Sequence, residues 1–121
     1  MATNEEKLAK AINLKIEGNY DDAKPLLLEI LSEDENHVEA RRQLGLIYGF
    51  QGLFDESIDE LTKAAQLDES RADVLCDLAM TQAMLGMYEE AKANFEQVLR
   101  LDPGNKTANE QMVYFRDMAA L

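Results

Sequence analysis

The stretch GFQGLFDES, residues 49–57, contains a turn that the chain repeats three times. Near copies stand upstream as GNYDDA at residues 18–23 and downstream as GMYEEA at residues 86–91. Their glycines, Gly18, Gly52 and Gly86, are 34 residues apart in both intervals, with no insertion between them. A period of this length indicates repeated supersecondary units that stack on one another.

Residues at equivalent positions of the three copies, which we call columns, keep the same spacing of 34 residues. The aromatic column is Tyr20, Phe54 and Tyr88, and small-residue columns lie at Ala23, Ser57 and Ala91 and at Ala11, Gly45 and Ala79. Small residues at matching positions of two helices let their backbones approach closely. We therefore expect each turn to join two tightly packed helices.

Both halves of the unit have the apolar spacing of helices. In HVEARRQLGLIYGF, residues 37–50, the residues Val38, Leu44 and Ile47 fall at helical intervals, and FDESIDELTKAAQL, residues 54–67, has the same pattern. No stretch alternates with a period of two for long enough to form a strand. Acidic pairs follow each aromatic residue, where the positive end of a helix dipole favours negative charge. The sequence predicts helix, turn and helix three times.

Helix ends are predicted from short local patterns. Asn36-x-x-Glu39 and Ser70-x-x-Asp73 resemble capping boxes before the first helices of two units, and Thr107-x-x-Glu110 can cap a later helix. Pro25 falls inside the second helix of the first unit. Because proline lacks a backbone N–H, we expect it to kink or fray that helix.

The repeat also predicts the domain organisation. Three units cover about residues 4–37, 38–71 and 72–105, and a capping helix over residues 106–121 closes the stack, because the last apolar face needs cover. The chain has 121 residues, which is the usual size of one domain. We expect a single domain over residues 1–121.

These columns make the sequence resemble the tetratricopeptide repeat family. The family's small columns match Ala23, Gly45, Ala79 and Ala91, its aromatic columns match Tyr20, Phe54, Tyr88 and Phe95, and its closing LDP motif stands at residues 101–103. Lys7, Arg41 and Leu75 depart from the family's tryptophan column. The resemblance implies an all-α, right-handed solenoid of three helical hairpins with a capping helix. It also implies a scaffold that holds another polypeptide in a groove lined by the first helix of each unit.

The family's groove columns identify the candidate binding residues. They are Glu5, Leu8, Ile12, Ile16, Glu39, Arg42, Leu46, Phe50, Asp73, Cys76, Met80 and Met84. Each first helix is acidic at its N-terminal end and apolar from its middle to its C-terminal end. Such apolar residues are often core, but other residues already fill the core columns, so we expect an exposed stripe that binds a partner. The predicted partner is an apolar peptide or helix, and the acidic ends suit basic flanking residues.

One ligand class of the family is disfavoured on charge. Members that clamp the acidic tails of heat-shock chaperones present lysine, arginine and asparagine at columns that here hold Glu5, Ala9, Gln43, Asp73 and Asp77. Carboxylates of such a ligand would face carboxylates of this chain.

The net charge of the chain disfavours two further classes of partner. The chain has 12 Lys and Arg against 24 Asp and Glu, a net charge of −12. Nucleic acid and anionic membrane both require concentrated positive charge, so neither is an expected partner. The first ten residues lack the order of a secretory signal, and no stretch approaches the roughly 18 apolar residues of a spanning helix. We expect a cytoplasmic protein.

No catalytic, cofactor or metal pattern stands out. His37, the sole histidine, is expected in a solvated loop, and Cys76, the sole cysteine, is expected to be a small apolar groove residue and not a nucleophile. Phosphate loops, serine elbows and paired-histidine motifs are absent from the sequence. We predict a protein that is not an enzyme, that uses no cofactor or metal and that binds another protein or peptide.

Two other functions stay open at this point. Small acidic chaperones of type III secretion resemble this chain in build and hold apolar cargo. Alternatively, the chain is a self-associating scaffold and homo-oligomer, in which the groove of one copy takes the closing helix of another. That helix would use Met112, Phe115, Met118 and Leu121.

Overall fold

The chain folds into helices throughout the part that the computed structural model describes, residues 1–119. Within this range there are seven helices and no strand. They are α1 (Asn4–Ile16), α2 (Tyr20–Glu33), α3 (Val38–Phe50), α4 (Phe54–Leu67), α5 (Ala72–Met84), α6 (Tyr88–Leu101) and α7 (Lys106–Ala119). The all-α prediction is confirmed, and the seven helices fit three pairs and a closing helix. Of the predicted closing helix, residues 120 and 121 lie outside the described range.

The helices belong to two compact units. Unit 1 is Met1–Leu67 and holds α1 to α4, and unit 2 is Asp68–Leu121 and holds α5 to α7. In each unit the two helices of a pair pack against each other, and in unit 1 α2 also packs against α3, as α6 does against α7 in unit 2. The core of unit 1 is buried at Ala11, Ala23, Leu27, Ile30, Ala40, Leu44 and Ile47. That the two units form one domain stays a prediction.

The small-residue columns lie where the paired helices come closest. A Cβ atom added at Gly45 on α3 would stand 2.8 Å from Cγ of Leu61 on α4. The buried Ser57 hydroxyl donates a hydrogen bond to the Gly45 carbonyl oxygen at 2.7 Å, which joins the same two helices. In unit 2, Ala79 and Ala91 occupy the corresponding columns and are fully buried. Small side chains here permit the approach that the sequence predicts.

The three repeated turns share one backbone geometry. Gly18, Gly52 and Gly86 have φ angles of 83°, 78° and 78°, in the left-handed region that glycine adopts without a Cβ penalty. After α3, the Gly52 N–H donates to the Gly49 carbonyl at 3.1 Å, and the Leu53 N–H donates to the Tyr48 carbonyl at 2.8 Å. The same two bonds follow α1 and α5. Each turn is therefore a Schellman motif that ends one helix and reverses the chain within three residues.

Helix starts differ from the predicted capping boxes. His37, not Asn36, caps α3, because its Nδ1 accepts a hydrogen bond from the Ala40 N–H at 3.1 Å. Asn36 instead donates its backbone N–H to Asp34 Oδ1 at 3.1 Å. The prediction failed because α3 starts one residue later than the pattern implied, which leaves Asn36 outside the cap position.

The other predicted caps fail in related ways. Ser70 does not cap α5 but donates its hydroxyl to Asp68 Oδ1 at 2.6 Å, and the hydrogen bonds from Ser70 lower the Asp68 pKa. Asn105, two residues before Thr107, accepts from the Ala108 N–H and caps α7. A capping box does form at Thr3, before α1.

Pro25 does not fray α2. The helix runs unbroken over Tyr20–Glu33, and its length of 14 residues equals that of α4 and α6. Pro25 itself is exposed, whereas Ala23 and Leu27, on either side of it in the chain, are fully buried. This packing holds the helix together despite the missing N–H.

The positive φ angle of the turn glycine can be tested within unit 2. Gly86→Ala should destabilise the protein by about 1–2 kcal/mol, because an L side chain is strained in the left-handed region. Gly104→Ala is the matched control, since neither position has a heavy atom within 4 Å of the added Cβ and Gly104 lacks a positive φ. Urea denaturation measures both variants, and equal midpoints would contradict the strain.

The close approach of helices in unit 2 gives a second test. Ala91→Trp should cost about 1–3 kcal/mol or more, because the buried column of α6 has no room for a large side chain. Ala93→Trp, at an exposed position of the same helix, should change little. A melting temperature for Ala91→Trp that matches the Ala93→Trp value would show that the column is not tightly packed.

Candidate functional site

The predicted binding residues lie on the first helix of each pair. α1 carries Glu5, Leu8, Ile12 and Ile16, α3 carries Glu39, Arg42, Leu46 and Phe50, and α5 carries Asp73, Cys76, Met80 and Met84. Unit 1 brings α1 and α3 into contact, and Lys15 Nζ on α1 donates to Gln43 Oε1 on α3 at 2.6 Å. The α5 residues belong to unit 2. That all twelve form one surface stays a prediction.

Exposure divides the apolar stripe into two parts. Ile16, Phe50 and Met84, the last residues of their helices, are 75%, 62% and 63% exposed. The apolar residues nearer the helix middles are only half-buried, namely Leu8, Ile12, Leu46, Cys76 and Met80. Leu8 packs against the core of unit 1. The expectation of an exposed stripe therefore holds best at the C-terminal ends of the first helices.

Phe50 is part of an aromatic pair that no local sequence pattern indicates. Its ring stacks on that of Tyr20, with centroids 5.9 Å apart and an angle of 24° between planes. Gln51 Nε2 donates to Asp21 Oδ1 at 3.3 Å beside this pair. These contacts join the end of α3 to the start of α2. We call Tyr20 and Phe50 the aromatic corner.

The acidic residues at the N-terminal ends are engaged within their own units. Glu39 Oε1 accepts hydrogen bonds from Arg42 at 3.2 Å and from the Gln43 side chain at 2.8 Å. Arg71 makes two hydrogen bonds of 2.8 Å to the Asp73 carboxylate. Glu5 is exposed. The charge that Glu39 and Asp73 offer a ligand is smaller than the sequence predicts. Spacings of three and four residues on a helix are the signal that could have revealed the Glu39 contacts.

The family's tryptophan column serves internal packing here. Lys7 lies 3.6 Å from Glu29 and 3.8 Å from Glu33, so it joins α1 to α2. Arg41 joins α3 to α4 through Glu60 at 2.9 Å, and both side chains are mostly buried. In unit 2 the column holds the buried Leu75. These residues stabilise helix pairs and are not candidates for ligand binding.

Tyr48 lies on α3 in a mixed electrostatic environment. Burial raises the pKa of Tyr48, and the charges of Glu60 and Glu56 raise it further. Lys24 Nζ stands 5.8 Å from the centroid of the Tyr48 ring, which is cation–π range. Lys24 also pairs with Asp21 at 3.6 Å.

One aromatic residue of the closing helix α7 is buried in the core of unit 2. Phe115 is buried, and its ring lies 6.1 Å from the rings of both Tyr88 and Phe95. Phe115 therefore cannot contact another copy of the chain unless this core opens. This corrects the prediction that Phe115 takes part in self-association. Met112 and Met118 are half-buried, and Leu121 lies outside the described residues. The large apolar side chains that α7 exposes are Val113 and Tyr114.

Other site types receive no support in the described part of the chain. Residues 1–119 contain no group of three or more His, Cys, Asp or Glu side chains placed to hold a metal ion. No helix in the same range combines the length and apolar character needed to cross a membrane. An open depression of about 220 Å³ lies in unit 1, but it is away from the predicted stripe. Its lining is Glu35, Asn36, Arg41, Lys63, Gln66 and Leu67.

Comparison with known proteins gives a family match and relatives. The sequence pattern of the tetratricopeptide repeat matches residues 37–103. The human mitochondrial import receptor subunit TOM70 is 30% identical in an alignment 114 residues long that covers 91% of this chain and 19% of that protein. The chain thus spans about a fifth of the length of this curated relative.

Solved structures of low sequence identity share the fold. The first tetratricopeptide domain of Spaghetti (RPAP3), bound to the HSP90 peptide SRMEEVD, superposes with a TM-score of 0.91 at 20% identity, over 98% of this chain and 94% of that one. The OM64 tetratricopeptide domain of Arabidopsis has a TM-score of 0.88 at 20% identity, over 95% of each chain. At this identity the likeness shows the fold alone.

The raised pKa of Tyr48 predicts an alkaline effect on stability. The folded protein holds the Tyr48 proton to a higher pH than the unfolded chain, so the free energy of unfolding should fall as pH rises above about 10. In Tyr48→Phe the free energy of unfolding should decrease less steeply with pH, because the titrating group is gone. Tyr114→Phe, at an exposed position, should keep the wild-type decrease. Urea unfolding at several alkaline pH values measures the slopes. Identical slopes for the two variants would contradict the assignment.

Proposed function

The chain belongs to the tetratricopeptide repeat family, and on that premise we propose that it is a non-catalytic protein-interaction module. Its ligand is an apolar peptide or helix of another protein, held on the first helices of the repeats. The residues that hold it come from the predicted set, with the C-terminal ends of the helices contributing most. The residues that contribute most are then Ile16 and Phe50 in unit 1 and Met84 in unit 2. Tyr20, outside the predicted set, contributes through its stacking on Phe50.

One observation carries this proposal. Ile16, Phe50 and Met84 occupy the same position of three successive repeats, and each exposes more than half of a large apolar side chain. Contiguous exposed apolar surface is typical of a site that a partner covers, and we propose that these recurring side chains contribute to such a surface. Met84 adds an adaptable side chain that can pack against ligands of varied shape.

Relatives support a polypeptide as the ligand class. A structural neighbour is bound to an HSP90 peptide, and the human relative is a mitochondrial import receptor subunit. The bound peptide SRMEEVD has an acidic end, whereas this chain has a net charge of −12 and carries Asp73 and Asp77 on α5. We therefore propose an apolar segment without an acidic tail. A cytoplasmic location belongs to the same proposal.

A homo-oligomer is a second arrangement that the closing helix favours. Val113 and Tyr114 are neighbours on α7 and both are exposed, so a second copy could cover them. Light scattering over a range of concentrations distinguishes this arrangement. A mass that rises with concentration in the wild type but not in Tyr114→Glu supports it, and a constant monomer mass contradicts it.

The proposed function predicts a loss of capture without a loss of fold. Phe50→Glu and Met84→Glu should each abolish capture of the partner from native lysate and weaken direct binding of that partner once it is purified. Their stability should fall little, by about 0.5 kcal/mol for an exposed position and by up to about 1.5 kcal/mol where an aromatic contact is lost. Truncation of a buried residue such as Leu27 would cost about 2–5 kcal/mol.

Leu28→Glu is the control for this experiment. Leu28 is 51% exposed but lies on α2, the second helix of its pair. The same charge is thus added to an exposed apolar position outside the proposed surface. If Leu28→Glu reduces capture as much as Phe50→Glu does, or if Phe50→Glu binds normally, the first helices are not the binding surface.

A further inference from the structure

The side-chain amide of Gln43 is buried within unit 1, and both of its polar atoms are engaged. Gln43 lies on α3 and is only 5% exposed. Its Oε1 accepts a hydrogen bond from Lys15 Nζ at 2.6 Å, and its Nε2 donates to Glu39 Oε1 at 2.8 Å. A cation at the amide oxygen and a carboxylate at the amide nitrogen polarise the amide in the same sense, so each hydrogen bond strengthens the other. We call Lys15, Gln43 and Glu39 the polar bridge.

The polar bridge connects the first helices of two successive repeats. Lys15 lies in the last turn of α1, whereas Gln43 and Glu39 belong to α3. If the end of α1 moved away, the buried amide oxygen of Gln43 would lose the Lys15 hydrogen bond and keep its desolvation cost. The polar bridge therefore opposes movement of the C-terminal end of α1 away from α3.

The other side of the α1–α2 turn is also held against α3. In the aromatic corner the Tyr20 ring, at the start of α2, stacks on Phe50. The Gln51 side chain donates a hydrogen bond to Asp21 at 3.3 Å beside it. Ile16 lies in the chain between the polar bridge and the aromatic corner. Because the turn is attached to α3 on both sides, the position of Ile16 relative to Phe50 is constrained.

The repeated sequence does not reproduce the polar bridge. The residues that correspond to Lys15 in the second and third repeats are Gly49 and Ala83, and neither has a polar side chain. The second and third helix pairs thus form without an equivalent of Lys15. The polar bridge is a feature of α1 and α3, and it can serve a purpose that a helix pair by itself does not require.

From these contacts we propose that Gln43 is a positioning residue of the binding surface. It acts through Lys15, which fixes the end of α1, so that Ile16 and Phe50 stand at one spacing for a ligand that contacts both. Gln43 itself is too deeply buried to contact such a ligand. This inference rests on the proposed function, because Ile16 and Phe50 belong to the surface described there. A surface that is already ordered loses less conformational entropy when the ligand binds.

Pulsed electron paramagnetic resonance tests the spacing without a ligand. Nitroxide labels on Lys10→Cys in α1 and Asp55→Cys in α4, both exposed positions, report the distance between the first two helix pairs in a Cys76→Ser background. Gln43→Met and Lys15→Met should each broaden the distance distribution. The two changes together should broaden it no further than one alone, because both break the same hydrogen bond. An unchanged distribution in Gln43→Met contradicts the inference.

Two further variants separate the polar bridge from general packing. Glu39→Gln combined with Gln43→Glu exchanges donor and acceptor, so that Lys15 keeps an acceptor and the side chains at 39 and 43 can still bond to each other. This pair should restore the narrow distribution. Gln82→Met removes a similarly buried amide from unit 2, where Gln82 accepts a hydrogen bond from Asn94, and should leave the distribution unchanged. Equal broadening in Gln82→Met and Gln43→Met would overturn the role of the polar bridge.

Binding is measured by fluorescence anisotropy, with the full chain and a fluorescein-labelled synthetic peptide that has a Leu-Phe-Leu core. Gln43→Met should weaken binding by about threefold to tenfold, which corresponds to the net contribution of one hydrogen bond. If Phe50→Glu abolishes binding but Gln43→Met leaves it unchanged, the inference is wrong and the proposed function stands. If the wild type does not bind the peptide, or if Phe50→Glu binds it as the wild type does, both are wrong.

Discussion

The short reversal between the two helices of a pair is the constraint on which the remaining structure depends. A glycine with positive φ ends the first helix, and the second helix begins two residues after it. Helices joined by so short a connection must pack closely along their length. Close packing in turn requires small residues at the contact, as at Gly45, where a Cβ atom would collide with Leu61. The turn and the small columns are therefore parts of one requirement, which explains why they recur together in the sequence.

The same reversal determines which residues remain available to a partner. The apolar groove residues in the middle of a first helix, such as Leu8, Leu46 and Met80, have neighbours from its own pair, and in unit 1 from the next pair as well, so they are half-buried. The last residue of the helix precedes the turn and extends beyond most of these contacts. Ile16, Phe50 and Met84 are consequently exposed although their side chains are as apolar as those of the core. Exposure is a product of position within the hairpin, and the repeat reproduces it in every unit.

Charges in this protein serve the fold and the surface in different places. Lys7 and Arg41 pair with acids of the second helices and join the two helices of their hairpins. In the mostly buried Arg41–Glu60 pair desolvation offsets much of the attraction, whereas the partner of Lys7, Glu29, is exposed. The Glu39 carboxylate likewise orders Arg42 and Gln43. A net charge of −12 therefore says little about the charge of a binding site, because some of the carboxylates that contribute to it are already hydrogen-bonded within the fold.

The sequence by itself determined the helices, their pairing and the column of residues at each contact. These follow from local properties, namely apolar period, glycine at the turn and small residues at fixed intervals, and a period of 34 residues without insertions carries them through the chain. Local patterns were less reliable at helix starts, where a shift of one residue moved the cap from Asn36 to His37. The predicted fraying at Pro25 is likewise wrong, since α2 continues through it and the flanking Ala23 and Leu27 are buried.

Only the tertiary structure decided which residues of the candidate site are exposed and which of them meet residues of another helix. The stacking of Tyr20 on Phe50 joins residues 30 positions apart in the chain, and the Lys15 bond to Gln43 joins two first helices. Neither contact has a signature in local periodicity, because each depends on how one helix pair lies against the next. Exposure is a sum over such non-local neighbours, and for that reason a sequence pattern can identify the positions that line a surface but not the exposure of each side chain on it.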